Sequence, residues 1–311
     1  MVDTPWHSRP YASEQDLRQM LELLMDGRAQ TDDWRYPHVG DLLFWFFMVA
    51  RHLDVQTHIR LWHAGERLVG YAILGEDPTF DCQVLPEFAW CGIEEEAMAW
   101  TEERLRALRQ SDPQRWGGGL VSGARQDDPR RRMFLEAHGF RQGGEFSEVN
   151  MLCRLDGDIP APVVPEGYQV RAVAERGEVE RRAAAQRAVW LPWTVGEVTT
   201  ADYAYFMRLP GYERELDVVA VAPDGVIAAY VNGWIDPRNC IGDFGPVGAL
   251  PAYRRLGLTR AVLLECLRRM QRLGMERVSV STGVSNAPAQ RLYESVGFMI
   301  VNQYLEYVQG V

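Results

Sequence analysis

The chain has 311 residues, 47% hydrophobic and 24% charged, with 33 basic against 43 acidic side chains and a formal net charge of −10. That length allows two domains with cores of ordinary size. The acidic balance argues against nucleic acid as a partner, and no apolar run reaches the roughly 18 residues of a membrane span.

Every basic side chain is an Arg, which excludes lysine-based covalent chemistry. The N-terminus carries Asp3 and His7 and no basic-then-apolar leader pattern. The five cysteines (Cys82, Cys91, Cys153, Cys240 and Cys266) form no C-x-x-C and fit reduced core thiols in a cytoplasmic protein. All six His residues lie in the first half, so a histidine base in the second half could come only from across a domain interface.

In chain order, residues 7–12 form a short strand. Ser13 caps a helix over 14–25 with Leu17, Met20, Leu21 and Leu24 on one face. The apolar stretch 41–53 reads as a buried helix. Strands 58–63 and 67–74 form a hairpin around Ala64, Gly65 and Glu66. A strand over 80–85, a helix over 92–109, a strand over 120–123, a helix over 129–138 and a strand over 145–155 complete the first half. Residues 156–167 (DGDIPAPVVPEG) hold three prolines and two glycines and read as a linker.

The second half repeats the plan: strand 168–173, helix 175–189, and a helix capped by Thr199 or Thr200 that ends near Met207. A hairpin of 216–222 and 226–235 turns on Pro223, Asp224 and Gly225. The strand over 240–249 contains Gly242, Gly245, Pro246 and Gly248, which predict a bulge or a splayed strand rather than a continuous ladder. The following helix puts Leu258, Val262, Cys266, Met270 and Leu273 on one stripe. Strand 276–282, helix 288–296 and strand 298–308 finish the chain.

The halves also match residue by residue. Pro86 and Gly92 fall on Pro251 and Gly257 at a spacing of 165, and Gly139 and Phe140 fall on Gly297 and Phe298 at a spacing of 158. This is an internal duplication.

The most informative stretch is 243–262, DFGPVGALPAYRRLGLTRAV. A strand, a tight turn and a helix N-terminus make an anion site, because the first helical turn has free N–H groups and a positive dipole end. Gly257 lets the backbone approach a ligand, and Arg254, Arg255 and Arg260 add positive charge, so a diphosphate suits the place. The plainer alternative is a strand-to-helix turn with solvated arginines. Its sequel, Asn286 to Phe298 (NAPAQRLYESVGF), changes the balance.

Together and in this order, the two segments resemble the GNAT superfamily of acetyl-CoA-dependent N-acyltransferases. The first is similar to its V-x-P-x-x-[RQ]-x-x-G-x-[GA] motif, with Thr259 in place of the usual Gly or Ala. The second is similar to its N-x-x-A-x-x-L-Y-x-x-x-G-F signature. The likeness covers the last half of the chain well and the first half weakly. The tandem plan further resembles mycothiol synthase-like acetyltransferases.

The resemblance implies an α/β fold of two tandem GNAT-like domains, each a mixed, mostly antiparallel sheet flanked by helices. A degenerate domain spans 1–155, a linker 156–167 and an active domain 168–311. It implies acetyl-CoA as co-substrate, held by Val247, Gly248, Ala249, Arg254, Arg255, Leu256, Gly257, Leu258, Thr259, Arg260 and Asn286, with no metal. It also implies that Tyr293 protonates the departing thiolate, although a core tyrosine would show the same spacing. Asn286 caps a helix on either reading.

The base stays open. Asp243 leads, Glu197, Asp202 and Asp236 compete, and a water chain would also serve. Trp190, Trp193 and Tyr203, with Pro192 and Tyr205 nearby, would wall an apolar or cationic acceptor or else form plain core.

The first copy carries Ala89, Cys91 and Glu94 where the second has Arg254, Leu256 and Thr259, and Glu95 and Glu96 follow. Carboxylates at a helix N-terminus satisfy its dipole themselves and repel a diphosphate. The expected activity is acetyl transfer to a primary amine of a small molecule. The alternatives are a non-catalytic acyl-CoA sensor and a protein N-acetyltransferase. The expected partners are a small-molecule amine and at most a second copy in a homodimer, with neither nucleic acid nor membrane.

Overall fold

The computed structural model describes residues 6–31, 34–48, 50–143, 147–174, 177–191 and 196–310. In chain order the elements are β1 (Trp6–Pro10), α1 (Glu14–Gln30), α2 (Val39–Met48), α3 (Val55–His58), β2 (Ile59–Ala64), β3 (Arg67–Leu74), β4 (Phe80–Val84), α4 (Ile93–Ser111), α5 (Pro113–Trp116), β5 (Leu120–Arg125), α6 (Pro129–Ala137), β6 (Phe140–Gln142) and β7 (Glu148–Arg154). They continue as β8 (Gln169–Ala172), α7 (Val179–Trp190), α8 (Thr200–Phe206), β9 (Asp217–Val221), β10 (Ile227–Asp236), β11 (Ile241–Ala249), α9 (Leu258–Arg272), β12 (Arg277–Gly283), α10 (Ala287–Glu294) and β13 (Met299–Gln309). The stretch 156–167 has no helix or strand.

The chain divides into two compact units that are not contiguous in sequence. The first comprises Met1–Pro37, Ala50–Glu148 and Asn302–Val311, and the second His38–Val49 and Val149–Val301. The expected break at 155 therefore differs from the packing: α2, most of β7 and the 156–167 stretch belong with the second unit, and the end of the chain with the first. The apolar helix expected over 41–53 ends at Met48 and is followed by a 3-10 turn, Ala50–His52. The hydrophobic run is continuous there, but α2 belongs to the second unit and Ala50 to the first.

In the first unit β1–β4 form an antiparallel sheet in that order. Ser13 and Asp16 close a capping box on α1, which runs to Gln30 rather than to 25. Strands β5 and β6 both pair antiparallel with the last residues of β13, from Tyr304 to Gln309.

In the second unit the strand order is β7-β12-β11-β10-β9-β8. Strands β9 and β10 are apolar and buried almost throughout, as central strands covered on both faces are. Alternation sends neighbouring residues to opposite faces, and a register shift in β11 between Phe244 and Val247 inverts that parity along the strand. A Cβ at Gly242 would meet Met270 of α9, whereas Gly248 faces Tyr230 and, through it, α7. One face thus carries α9, with Val262, Cys266, Leu267 and Met270 buried. Leu273, expected on that stripe, is 50% exposed because α9 ends at Arg272. The other face carries α7, α8 and α2. Trp234 sits beneath Gly40 of α2, whose missing Cβ makes room for the indole, and beside Phe206 of α8.

Candidate active site

The second unit builds its anion cradle from consecutive residues. Strand β11 ends at Ala249, a 3-10 turn spans Pro251–Tyr253, and the backbone is left-handed at Arg255 (φ 68°) and again at Gly257 (φ 77°) before α9 begins. Among the described residues, the amides of Leu256, Gly257, Leu258, Thr259 and Arg260 donate to no backbone carbonyl, and the first helical bond runs from Ala261 to Gly257. Left-handed turns of this kind aim successive N–H groups into one concavity. A Cβ at Gly257 would meet nothing within 4 Å, so the approach is open. Arg254 spends one N–H on the Ala249 carbonyl at 3.3 Å. Among the described residues no carboxylate pairs with Arg254, Arg255 or Arg260. Free amides, free cations and an open glycine fit a diphosphate.

Beside the cradle the sheet forks. β11 and β12 pair in parallel only from Ile241↔Arg277 to Asp243↔Ser279, while β11 stays paired with β10 as far as Ala249. From Phe244 to Ala249, which includes Val247 and Gly248, the β12-facing edge of β11 has no strand partner among the described residues. The expected bulge falls at Gly245 and Pro246, which together oppose Asn232, and the peptide between them is cis. The Gly245 carbonyl accepts from the Trp234 indole at 2.6 Å.

Asn286 caps α10 by accepting from the Ala289 amide at 3.3 Å, and its amide group reaches Thr282. Tyr293, the penultimate residue of α10, is 6% exposed, and its ring lies 5.8 Å from that of Phe298. Burial pushes its phenol up and the Asp243 carboxylate pushes it further, so it stays protonated in neutral solution.

The carboxylates considered as bases separate cleanly. Asp202 closes the capping box of α8 with Thr199. Asp236 accepts from the Asn239 backbone and side chain at the β10–β11 turn. Glu197, ahead of α8, is exposed between the buried Gly196 and Val198. Asp243 is 7% exposed at the vertex of the fork and accepts from Ser279 at 2.6 Å. A histidine from the first half does belong to this unit: His38 accepts from Gly40 N–H at Nδ1 and contacts the Ile241 carbonyl at 3.3 Å through Nε2. With both nitrogens engaged, it is not available as a base.

The aromatic cluster divides. Tyr203 is 1% exposed, and its hydroxyl donates to Asp217. It belongs to a buried network in which Arg182 donates to Asp217 at 3.0 Å and to Asn232 at 2.6 Å, and lies 3.6 Å from the Tyr230 ring centroid. Burial alone would lower the Arg182 pKa, but Asp217 holds it above the ordinary guanidinium value. Tyr203 is therefore a core residue and not a wall of an open pocket. Trp190 is half-buried, and its indole donates to Tyr230 at 2.9 Å. Trp193 and Pro192 lie outside the described residues. Gly248, expected to admit the ligand, also has a packing reason: a Cβ there would come within 2.7 Å of the Tyr230 hydroxyl.

Residues 183–298 match the model of the acetyltransferase (GNAT) family. The chain carries a GNAT acetyltransferase domain. It is similar to the mycothiol acetyltransferase of Pseudarthrobacter chlorophenolicus (24% identical, covering 75% of this chain and 72% of the relative). It is also similar to that of Arthrobacter sp. strain FB24 (26% identical, covering 74% and 71%). In fold it matches a GCN5-related N-acetyltransferase from Sphaerobacter thermophilus (TM-score 0.66, 21% identity, 98% of this chain and 95% of that one). A tandem GNAT protein of the clavulanic acid biosynthesis pathway matches equally (TM-score 0.67, 16% identity, 98% of each). The GNAT domain and its relatives make the chain an acetyl-CoA-dependent acetyltransferase of α/β fold.

Against the cradle of the GNAT domain, its counterpart in the first unit is closed. Gly92 precedes α4, but a Cβ there would stand 3.5 Å from the Trp6 indole. Glu94 reaches back to accept from the Trp90 amide at 2.8 Å, and its carboxyl is pushed up by burial. Glu96 accepts from the indoles of Trp6 and Trp62, and Glu95 pairs with His138 at 2.8 Å. The matching gap between β4 and β5 is bridged by Arg131, which donates to the Gly123 carbonyl at 2.7 Å and to the Cys82 carbonyl at 3.1 Å. At the 158-residue spacing, the GNAT domain has Ala289 in that position.

Proposed function

We propose that the second unit transfers an acetyl group from acetyl-CoA to the primary amine of a small molecule by direct attack, and that the first unit is a degenerate copy that does not bind acetyl-CoA. The observation that carries the reading is the continuity of three features. A cradle of free amides and unpaired arginines opens onto a strand edge without a partner among the described residues, a buried carboxylate sits at the vertex, and its charge reaches a buried phenol on α10.

Acetyl-CoA, when bound, supplies the thioester. The residues of this chain then divide the work. Arg254, Arg255, Arg260 and the amides from Leu256 to Arg260 hold the diphosphate. The free β11 edge at Val247, Gly248 and Ala249, with Asn286 opposite, orients the arm that leads to the thioester. Asp243 takes the proton that the attacking ammonium must lose, and Tyr293 donates to the departing sulfur. A phenol kept protonated by burial has its proton to give, and a hydrogen bond to a developing thiolate is the stronger, charge-assisted kind. In the first copy, carboxylates, an indole and Arg131 occupy the corresponding places, which supports a single cofactor site.

Thiol release tests the proposal. Incubation with acetyl-CoA and a panel of polyamines, aminoglycosides, amino acids and amino sugars yields free thiol with at least one acceptor. The relatives make a mycothiol-related amine the first to try. Tyr293→Phe lowers kcat by about 100-fold, the lower range for a lost general acid, and leaves the acetyl-CoA Kd within a factor of about two. Binding of acetyl-CoA without thiol release for any amine defeats the proposal.

A further inference from the structure

The vertex of the fork holds a hydroxyl that the chemistry above does not use. Asp243 and Ser279 are the last pair of the parallel register, so both side chains leave the sheet on one face. Ser279 is 2% exposed. Its Oγ lies 2.6 Å from Asp243 Oδ1 and 3.1 Å from the Gly242 carbonyl oxygen. A hydroxyl has one proton and two acceptor lone pairs. It cannot donate to both neighbours at once, and the ionised, nearer one wins the proton. Once the carboxylate has been protonated, the same hydroxyl can turn its proton to the Gly242 carbonyl and accept from the carboxyl group. One fixed oxygen can therefore serve both protonation states without moving the strand.

We propose that Ser279 is a positioning residue that holds Asp243 as proton acceptor for the attacking amine, as a donor to the carboxylate and as an acceptor from the carboxylic acid. The proposal rests on the reading of Asp243 as the base. In the step, one N–H bond of the ammonium breaks and one O–H bond forms on Asp243. The freed nitrogen lone pair makes the attack, and no oxidant or further reactant is needed.

Neighbouring elements among the described residues bring their own groups to this corner. Tyr293 of α10 is near enough for the Asp243 charge to raise its phenol pKa. His38, ahead of α2, has both ring nitrogens engaged on Gly40 and Ile241. From β10 the neighbour is the Trp234 indole, whose N–H is on the Gly245 carbonyl.

The test compares Ser279→Ala and Ser279→Thr with the parent chain, each first checked for an unchanged melt and acetyl-CoA Kd. Loss of a donor disfavours the ionised carboxylate, so Ser279→Ala moves the acidic limb of kcat/KM up by about one pH unit. Ser279→Thr, which keeps the hydroxyl, returns the limb to its place. Two acceptors whose amines differ in pKa identify the limb that belongs to the enzyme. Carboxyl-carbon NMR of the protein without acetyl-CoA or acceptor reads the same upward displacement directly.

An unmoved limb and an unmoved NMR titration in Ser279→Ala overturn the proposal, as does a Thr variant that behaves like Ala. Asp243→Asn separates the two levels. If it abolishes turnover while Ser279→Ala shifts nothing, only the role of Ser279 fails. If it keeps both turnover and limb, the base assignment itself fails.

Discussion

Single residues in this chain owe their roles to partners far away in sequence. Tyr203 looks like an acceptor wall when read with Trp190 and Trp193, yet Asp217 and Arg182 draw it into the core. A helical aromatic shows only its spacing, and the charge that claims its hydroxyl lies on a strand 14 residues on. Arg182 and Asp217 are both fully buried. Removing one member of such a pair leaves the other charge stranded, which costs about 3 kcal/mol or more. Asp217→Asn therefore lowers the free energy of unfolding by that amount in a urea titration. Because Arg182 also packs on Tyr230, whose hydroxyl holds Trp190 and faces Gly248, the same variant also raises the Km for the amine acceptor.

Ser279 was invisible for a different reason. Nothing marks one serine on a strand, although the alternation of Val278, Ser279, Val280 and Ser281 does show that this face of β12 is polar and so turned away from α9. What alternation could not supply is the register that brings Ser279 opposite Asp243.

At the scale of elements, the cradle was legible because it is local. A turn, a glycine and a helix N-terminus follow one another within a dozen residues, and short-range geometry fixes their amides. The fork was half legible. Gly245 and Pro246 announce a disturbed ladder, and the bulge does fall there. Where β12 leaves β11, however, depends on a pairing between segments more than 30 residues apart. The cradle also sets a prediction. Each charge-assisted contact is worth roughly a factor of ten. Arg260→Glu thus raises the acetyl-CoA Kd at least about tenfold by calorimetry, and added salt narrows the gap. The same titration of the parent chain gives one site per chain, because the glutamates and Arg131 close the other copy.

At the scale of the whole molecule, duplication in sequence did not produce two contiguous bodies. The second unit draws α2 and most of β7 from the first half, and the first unit draws the end of β13 from the second. The 156–167 stretch, the natural place to cut, does not separate them. A fragment of residues 168–311 lacks α2, which covers Trp234, and β7, the strand beside β12. It leaves apolar surface bare and a strand edge unpaired. Expressed alone, it shows no cooperative melt by circular dichroism and no thiol release, and mixing with residues 1–167 restores both in part. A cooperative, active 168–311 fragment would refute this account.

By itself the sequence determined what neighbouring residues decide together: the order of elements, the duplication, the contrast between an arginine-bearing cradle and an acidic one, and through them the family. The tertiary structure alone decided which charges are buried in pairs, which helix covers which strand, and which hydroxyl meets Asp243. The reason is physical. Periodicity fixes the face on which a side chain leaves its element, but the partner waiting there is set by burial and pairing among segments that meet only when the chain has folded.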